Sequence, residues 1–193
     1  YLCNNVKEVI LQEGMVKIAN NLFRGRIMLS EKDELGVYLE TIEFTIPDSV
    51  VIIEEQAFYD QVNMSEVKFK ENPSLKIIGD GAFYNTLIME SFDLPDTVEE
   101  LGADSFSYDY EKNETNALRE FNISNNSSLK VIGDRAFNRC FQLKYINLIE
   151  GIERIGDRAF GYIGDIFTVD KNGEAVERPI LRLPSTLTTL GWR

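Results

Sequence analysis

The chain has no histidine, and only two cysteines and one tryptophan among 193 residues. Without imidazole there is no Ser-His-Asp or Cys-His nucleophilic site, and no zinc centre of the histidine-bearing kind. Two cysteines fall short of a Cys₄ cluster. No Gly-x-x-x-x-Gly-Lys-Ser/Thr or Gly-x-Gly-x-x-Gly run occurs, so the standard phosphate cradles are missing. Adjacent carboxylates do occur, as Glu54-Glu55 and Glu99-Glu100. Neighbours in one turn do not face each other across a cleft, as glycoside hydrolysis requires. Neither catalysis nor a cofactor is expected. No apolar run is long enough for a membrane-spanning helix, and no targeting motif is visible. Basic residues are scarce at the front: 9 Lys+Arg face 23 Asp+Glu through Asn116, against 11 and 9 thereafter, for a net charge of −12. Such a surface disfavours nucleic acid and anionic membranes. It suits a chain that stays soluble and monomeric.

What the chain has in quantity is repetition. Ile132-Gly133-Asp134-Arg135-Ala136-Phe137 recurs as Ile155-Gly156-Asp157-Arg158-Ala159-Phe160, and nearly so as Ile78-Gly79-Asp80-Gly81-Ala82-Phe83. Around these copies the apolar residues fall into columns. Strand segments end at Leu11, Ile46, Phe69, Leu94, Ile123, Leu148 and Leu183. A second column holds Met15, Val50, Leu75, Val98, Leu129, Ile152 and Leu187, and a third Ile18, Ile53, Ile78, Leu101, Ile132, Ile155 and Leu190. A fourth is all phenylalanine: Phe23, Phe58, Phe83, Phe106, Phe137 and Phe160. Short repeats of this kind cannot bury an apolar face alone and do so by stacking.

The strand segments alternate, as in Glu66-Val67-Lys68-Phe69 and Tyr145-Ile146-Asn147-Leu148, which predicts one buried face. Pro47, Pro95 and Pro184 follow strand ends, where a missing N–H harms the ladder least. In the Gly-Asp-x-Ala-Phe segments the glycine is expected to permit a tight or left-handed turn. The aspartates Asp80, Asp134 and Asp157 are expected to cap a short helical turn that carries the phenylalanine inward. The phenylalanines should then stack as a core column.

These motifs resemble the leucine-rich repeats of the BspA-like, or Treponema pallidum, type. Phe44-Thr45-Ile46-Pro47-Asp48-Ser49-Val50 and Phe92-Asp93-Leu94-Pro95-Asp96-Thr97-Val98 match the first half of that repeat. Ile132 through Leu143, with Cys140, matches the second half. Leu101-Gly102-Ala103-Asp104-Ser105-Phe106 departs, with serine for alanine, and Cys140 is kept in one full turn only. The resemblance implies an α/β, β-rich fold: a right-handed leucine-rich-repeat solenoid with a parallel strand sheet and short helical turns. Residues 1–193 would form a single domain of about seven repeats. The chain starts and stops mid-repeat, so a segment of a longer protein is expected.

Three stretches exceed the repeat and are expected to emerge as loops. They run from about Arg24 to Tyr38, Ser107 to Asn116 and Gly161 to Arg178. The last carries Asn172-Gly173, a strong hairpin turn signal. Its Asp170-x-Asn172-Gly173 lacks the glycine position and distal glutamate of an EF-hand, so no metal site is expected. Cys3 and Cys140 lie five strand steps apart, on the order of 24 Å, too far to be bridged. Cys140 is expected as a buried thiol. Asn-x-Ser/Thr sequons stand at Asn63, Asn113, Asn122, Asn125 and Asn126.

Recognition remains as the expected task. A strand sheet in a stacked fold presents its outward side chains in rows. The strand residues Glu90, Asp93, Glu120, Asn122, Lys144, Tyr145 and Asn147 are candidate partner contacts, and Tyr108 and Tyr110 of the second insertion join them as possible interface anchors. Their mixed chemistry suits a protein surface better than a small-molecule pocket. The resemblance implies an extracellular or cell-surface module for adhesion to a host or neighbouring-cell protein. A spacer within a multidomain surface protein is one alternative. A glycan-binding module, which needs clustered exposed aromatics, is another.

Overall fold

The structure is a computed structural model, and it describes residues 7–25, 41–109, 117–163 and 183–192. The three insertions lie mostly outside these ranges, as do the 172–173 turn, Cys3, Tyr110 and Asn113. Each of the first six repeats contributes two strands rather than one, and the described part of the seventh contributes β13 (Thr189–Leu190). The first set is β1 (Glu8–Ile10), β3 (Ile42–Ile46), β5 (Met64–Phe69), β7 (Ser91–Asp93), β9 (Glu120–Asn122) and β11 (Tyr145–Ile146). The second set is β2 (Lys17–Ile18), β4 (Ile52–Ile53), β6 (Ile77–Ile78), β8 (Glu100–Leu101), β10 (Val131–Ile132), β12 (Arg154–Ile155) and β13 (Thr189–Leu190). The short strands form one parallel seven-stranded ladder, β2-β4-β6-β8-β10-β12-β13. The longer ones form two parallel sheets, β1-β3-β5 and β7-β9-β11. The third apolar column, read from sequence as core alone, is thus also the inner edge of a ladder.

The core is built around aromatic rings. Phe23, Phe58, Phe83, Phe106, Phe137 and Phe160 stack along the coils, with successive centroids 5.3, 5.1, 5.1, 5.6 and 5.4 Å apart and planes within 15°. Parallel strands sit about 4.8 Å apart, so the spacing of the coils sets the spacing of the rings. A second rank comes from the strands. Phe44, Phe92 and Phe121 lie edge-on between the stacked rings, at centroid distances from 4.7 to 5.3 Å. Edge-to-face pairs match the positive ring edge to the negative face and add about 0.5–1.5 kcal/mol each beyond burial.

The turns depart from expectation in three ways. Among the described residues there is no helix. Alternate amides in the turn leave the coil: Gly81, Phe83 and Asn85 donate to the carbonyls of Ala103, Ser105 and Ser107, at 2.8–2.9 Å. Phe137 and Arg139 likewise reach Ala159 and Gly161. A helix needs those donors for its own i−4 carbonyls, so inter-coil bonding displaces it. The backbone accommodates this with left-handed residues two before the phenylalanine (Gln56, Gly81, Asp104, Arg135, Arg158) and two after it (Asp60, Asn85, Arg139, Tyr162).

The motif glycine is therefore not the left-handed residue. Gly102, Gly133, Gly156 and Gly191 serve close approach instead: a Cβ on each would lie 2.2–2.7 Å from atoms of the preceding coil. The motif aspartates also work between coils rather than within one. Asp80 accepts from the amide of Ala103 (2.7 Å), Asp134 from Asp157 (3.0 Å) and Asp157 from Trp192 (2.9 Å). Pro47, Pro95 and Pro184 do open turns, each accepting from the amide three residues on.

Carboxylates tie the coils together at the surface too. The Glu54 carboxyl is held below the ordinary glutamate range by Lys17 and by the Asn20 amide, Glu99 by Lys76, and Glu150 by the Ser185 amide and hydroxyl. A depressed native pKa contributes stability that is complete above the unfolded value and is lost as pH falls through the native one. The urea midpoint is expected to be lower at pH 3 than at pH 6, and an unchanged midpoint would show these ties to be idle.

Cys140 is fully buried and donates to the Phe106 carbonyl at 3.1 Å. Desolvation pushes its thiol well up from the free value. Alkylation of Cys140 is expected only in denaturant, as tryptic mass mapping would show. Labelling of this residue in the native protein would contradict its packing.

Candidate functional site

The face formed by β7, β9 and β11 gathers most of the strand residues singled out from sequence. Phe92 and Phe121 point inward, while Asp93, Glu120 and Asn122 are exposed and Tyr145 half-buried. Register aligns Ser91, Glu120 and Tyr145 in one row, and Asp93 with Asn122 in the next. Asn147 follows β11, exposed, with its amide directed at Asn125 (3.4 Å). Asn122 donates to Asp93 Oδ1 at 2.7 Å. Glu90 and Lys144 flank the strands and are exposed: the Glu90 carbonyl takes the Arg119 and Glu120 amides, and the Lys144 amide donates to the Arg119 carbonyl. Five of the nine predicted residues, Asp93, Glu120, Asn122, Tyr145 and Asn147, therefore lie on the outward side of these strands, with Glu90 and Lys144 exposed just before them.

The other two do not join it. Tyr108 is 1 % exposed and packs with Val62, Leu87 and Ile88 in a small satellite core. Its ring is thus spent on packing between coils rather than offered to a partner. Tyr110 lies outside the described residues. The clustered aromatic patch that a glycan site needs is therefore not formed by Tyr108 and Tyr145. A different tyrosine pair goes unread in the sequence, although each member directly follows a column phenylalanine: Tyr59 and Tyr84 stack at 4.7 Å, with the Arg24 guanidinium 4.5 Å over Tyr59. Of the sequons, Asn63 is fully buried and cannot accept a glycan in the folded chain, whereas Asn122, Asn125 and Asn126 are exposed.

The β1-β3-β5 sheet presents a row the sequence did not announce, because Glu43 joins Glu8 and Glu66 only through register. Lys68 bridges Glu43 (2.5 Å) and Glu66 (3.3 Å). Where this sheet meets the next, β5 and β7 do not pair, and a cleft of about 360 Å³ opens between them. Among the described residues no group of three or more Cys, Asp or Glu is placed to hold a metal ion. No described helix is long and apolar enough to cross a membrane.

Coils that share the same apolar columns, stacked through parallel ladders over a continuous apolar core, define a leucine-rich-repeat scaffold with an extended strand face. The chain belongs to the family described as the BspA type leucine-rich repeat region, whose pattern matches six copies over residues 37–166. Among solved structures, it resembles the pneumococcal vaccine antigen PcpA, with a TM-score of 0.53 and 20% identity over 78% of this chain and 34% of that one. It is similarly close to a leucine-rich repeat protein from Bacteroides ovatus, with a TM-score of 0.52 and 20% identity over 81% of this chain and 44% of that one. The chain thus spans less than half of either protein, and at this identity the likeness is one of fold. No curated protein matches it at a comparable level.

Proposed function

We propose that this chain is a non-catalytic interaction module that takes a protein partner on the β7-β9-β11 face, at a cell surface or outside the cell. The observation that supports the reading is the row of Asp93, Glu120, Asn122, Tyr145 and Asn147 along the outward side of these strands, with Glu90 and Lys144 exposed at the strand starts. The inner face of those strands is committed to the aromatic core, so the outer side chains are free to vary with the partner. Mixed charge, amides and one half-buried tyrosine match a protein interface, where aromatic anchors sit within a polar rim. That one protein of the same fold is a pneumococcal vaccine antigen agrees with exposure outside the cell.

A screen of the chain against extracellular-matrix proteins and glycans at physiological salt tests the reading. A protein ligand is expected, with binding weakened at least about tenfold by combined Lys144→Ala, Tyr145→Ala and Asn147→Ala. A ligand that binds the triple variant unchanged would move the site off this face. A blank across the panel would favour a spacer role.

A further inference from the structure

We infer that the cleft between β5 and β7 is a receptor for an arginine side chain presented by a protein partner. The inference rests on the interaction reading above and gives it a chemical class. It starts from an interrupted ladder. Along the chain, β3 pairs with β5 over five residues and β7 with β9 over three, yet no backbone hydrogen bond joins residues 64–70 to residues 87–95. The same two coils are bonded on either side of the gap: Lys76 O accepts from Glu99 and Glu100, and Phe83 N donates to Ser105 in the coil beyond. The opening is therefore local and held by its surroundings. It coincides with Val67, which register places beside Phe44, so that among the described rings none from a strand lies edge-on between Phe58 and Phe83 as Phe44 does between Phe23 and Phe58.

The interruption leaves main-chain groups unpaired. Lys70 N donates to Ile46 and Leu94 N to Asn122, so the amides of even-numbered residues here point away from the gap. By the period-two alternation of strands, the carbonyls of Val67 and Ser91 and the amides of Phe69 and Asp93 point into it. The walls are Val67, Leu94 and Pro95, apolar surface on which an alkyl stem can lie. Glu66, Asp93 and Asp96 line the rim together with Lys68, which already bridges Glu43 and Glu66.

Asp93 and Asp96 each hold one oxygen in a fixed direction through neutral donors, the Asn122 amide (2.7 Å) and the Ser124 hydroxyl (2.5 Å). Among the described residues neither forms an ion pair with a lysine or arginine. The site thus offers negative charge, free carbonyl acceptors and an apolar trough. A guanidinium on a three-carbon stem answers all three, because its planar fork can bond carboxylate and carbonyl together and is weakly hydrated. An ammonium supplies the charge without the fork.

The test is a ¹H–¹⁵N titration of the chain with the peptide Ac-Ala-Arg-Ala-NH₂ at physiological salt, beside its lysine and citrulline counterparts. Shifts are expected to centre on the amides of Val67, Phe69, Ser91 and Asp93, with lysine about threefold weaker or more and citrulline without effect. The Glu66→Gln, Asp93→Asn double variant, changed only at exposed positions, should weaken the arginine peptide at least about fivefold. Shifts spread evenly over the acidic surface, or equal binding of arginine and lysine, would overturn the assignment. If a partner is lost on changing Lys144, Tyr145 and Asn147 while the arginine peptide leaves the cleft untouched, only the cleft reading fails. The reverse outcome would leave the cleft and remove the β9-β11 surface.

Discussion

Phe106→Ala is expected to destabilise the fold by about 4 kcal/mol, within the range for truncating a buried phenylalanine. Its ring is 1 % exposed and lies between four others: Phe83 at 5.1 Å, Phe137 at 5.6 Å, and Phe92 and Phe121 both at 4.9 Å. Removing it leaves a void that four rigid rings cannot close, since each is fixed by its own coil. Phe160→Ala is the matched control, because Phe160 is half-buried and stacks on Phe137 alone among the described rings. It should lose roughly half as much. Urea unfolding of both variants decides the matter. Equal losses would mean that the stack contributes by bulk burial and not by its two-rank geometry.

Gly133→Ala should cost about 3 kcal/mol, although it adds one methyl group. The methyl would sit 2.5 Å from the carbonyl carbon of Gly102 and 2.6 Å from the amide nitrogen of Ala103. Both are backbone atoms and cannot rotate aside, so the coils must separate locally and stretch Gly133 N to Leu101 O, now 2.8 Å. Gly133 has no positive φ, so alanine is conformationally acceptable there and the whole effect is steric. Gly14→Ala isolates the other cost: its φ is +92° but no atom lies within 4 Å. That change should cost about 1 kcal/mol. A ranking with Gly14 above Gly133 would refute the close-approach account.

The columns made the core legible in the sequence, since stacking forces like residues into like places; every ring contact between column phenylalanines follows from their alignment. The strand face was legible for the same reason, as alternation along Glu120-Phe121-Asn122 fixes which residues face outward. The turns were not. Gly-Asp-x-Ala-Phe carries the local signs of a capped helical turn, and local chemistry cannot reveal that its amides are taken by the next coil. The aspartates and glycines were correctly singled out but assigned to their own turn, because what they touch is one repeat away. Tyr108 misled in a related way: charged neighbours such as Asp109 suggested exposure, while the pocket of Val62 and Leu87 that receives it is assembled from two other repeats. The cleft at β5 has one faint sign, valine in place of phenylalanine at position 67. That sign has meaning only once the register is known.

The seven-stranded ladder runs unbroken past the point where the opposite face divides. In thermodynamic terms this decides the size of the cooperative unit. In a one-dimensional stack, a weak junction lets the two halves melt separately. Here the junction at β5 and β7 is weak on one side only. The β4-β6-β8 pairing and the unbroken ring stack from Phe58 through Phe106 cross it on the other. Heat should therefore unfold the repeats in one transition, with calorimetric and van't Hoff enthalpies in agreement, and the open face becomes local play within a single folded body.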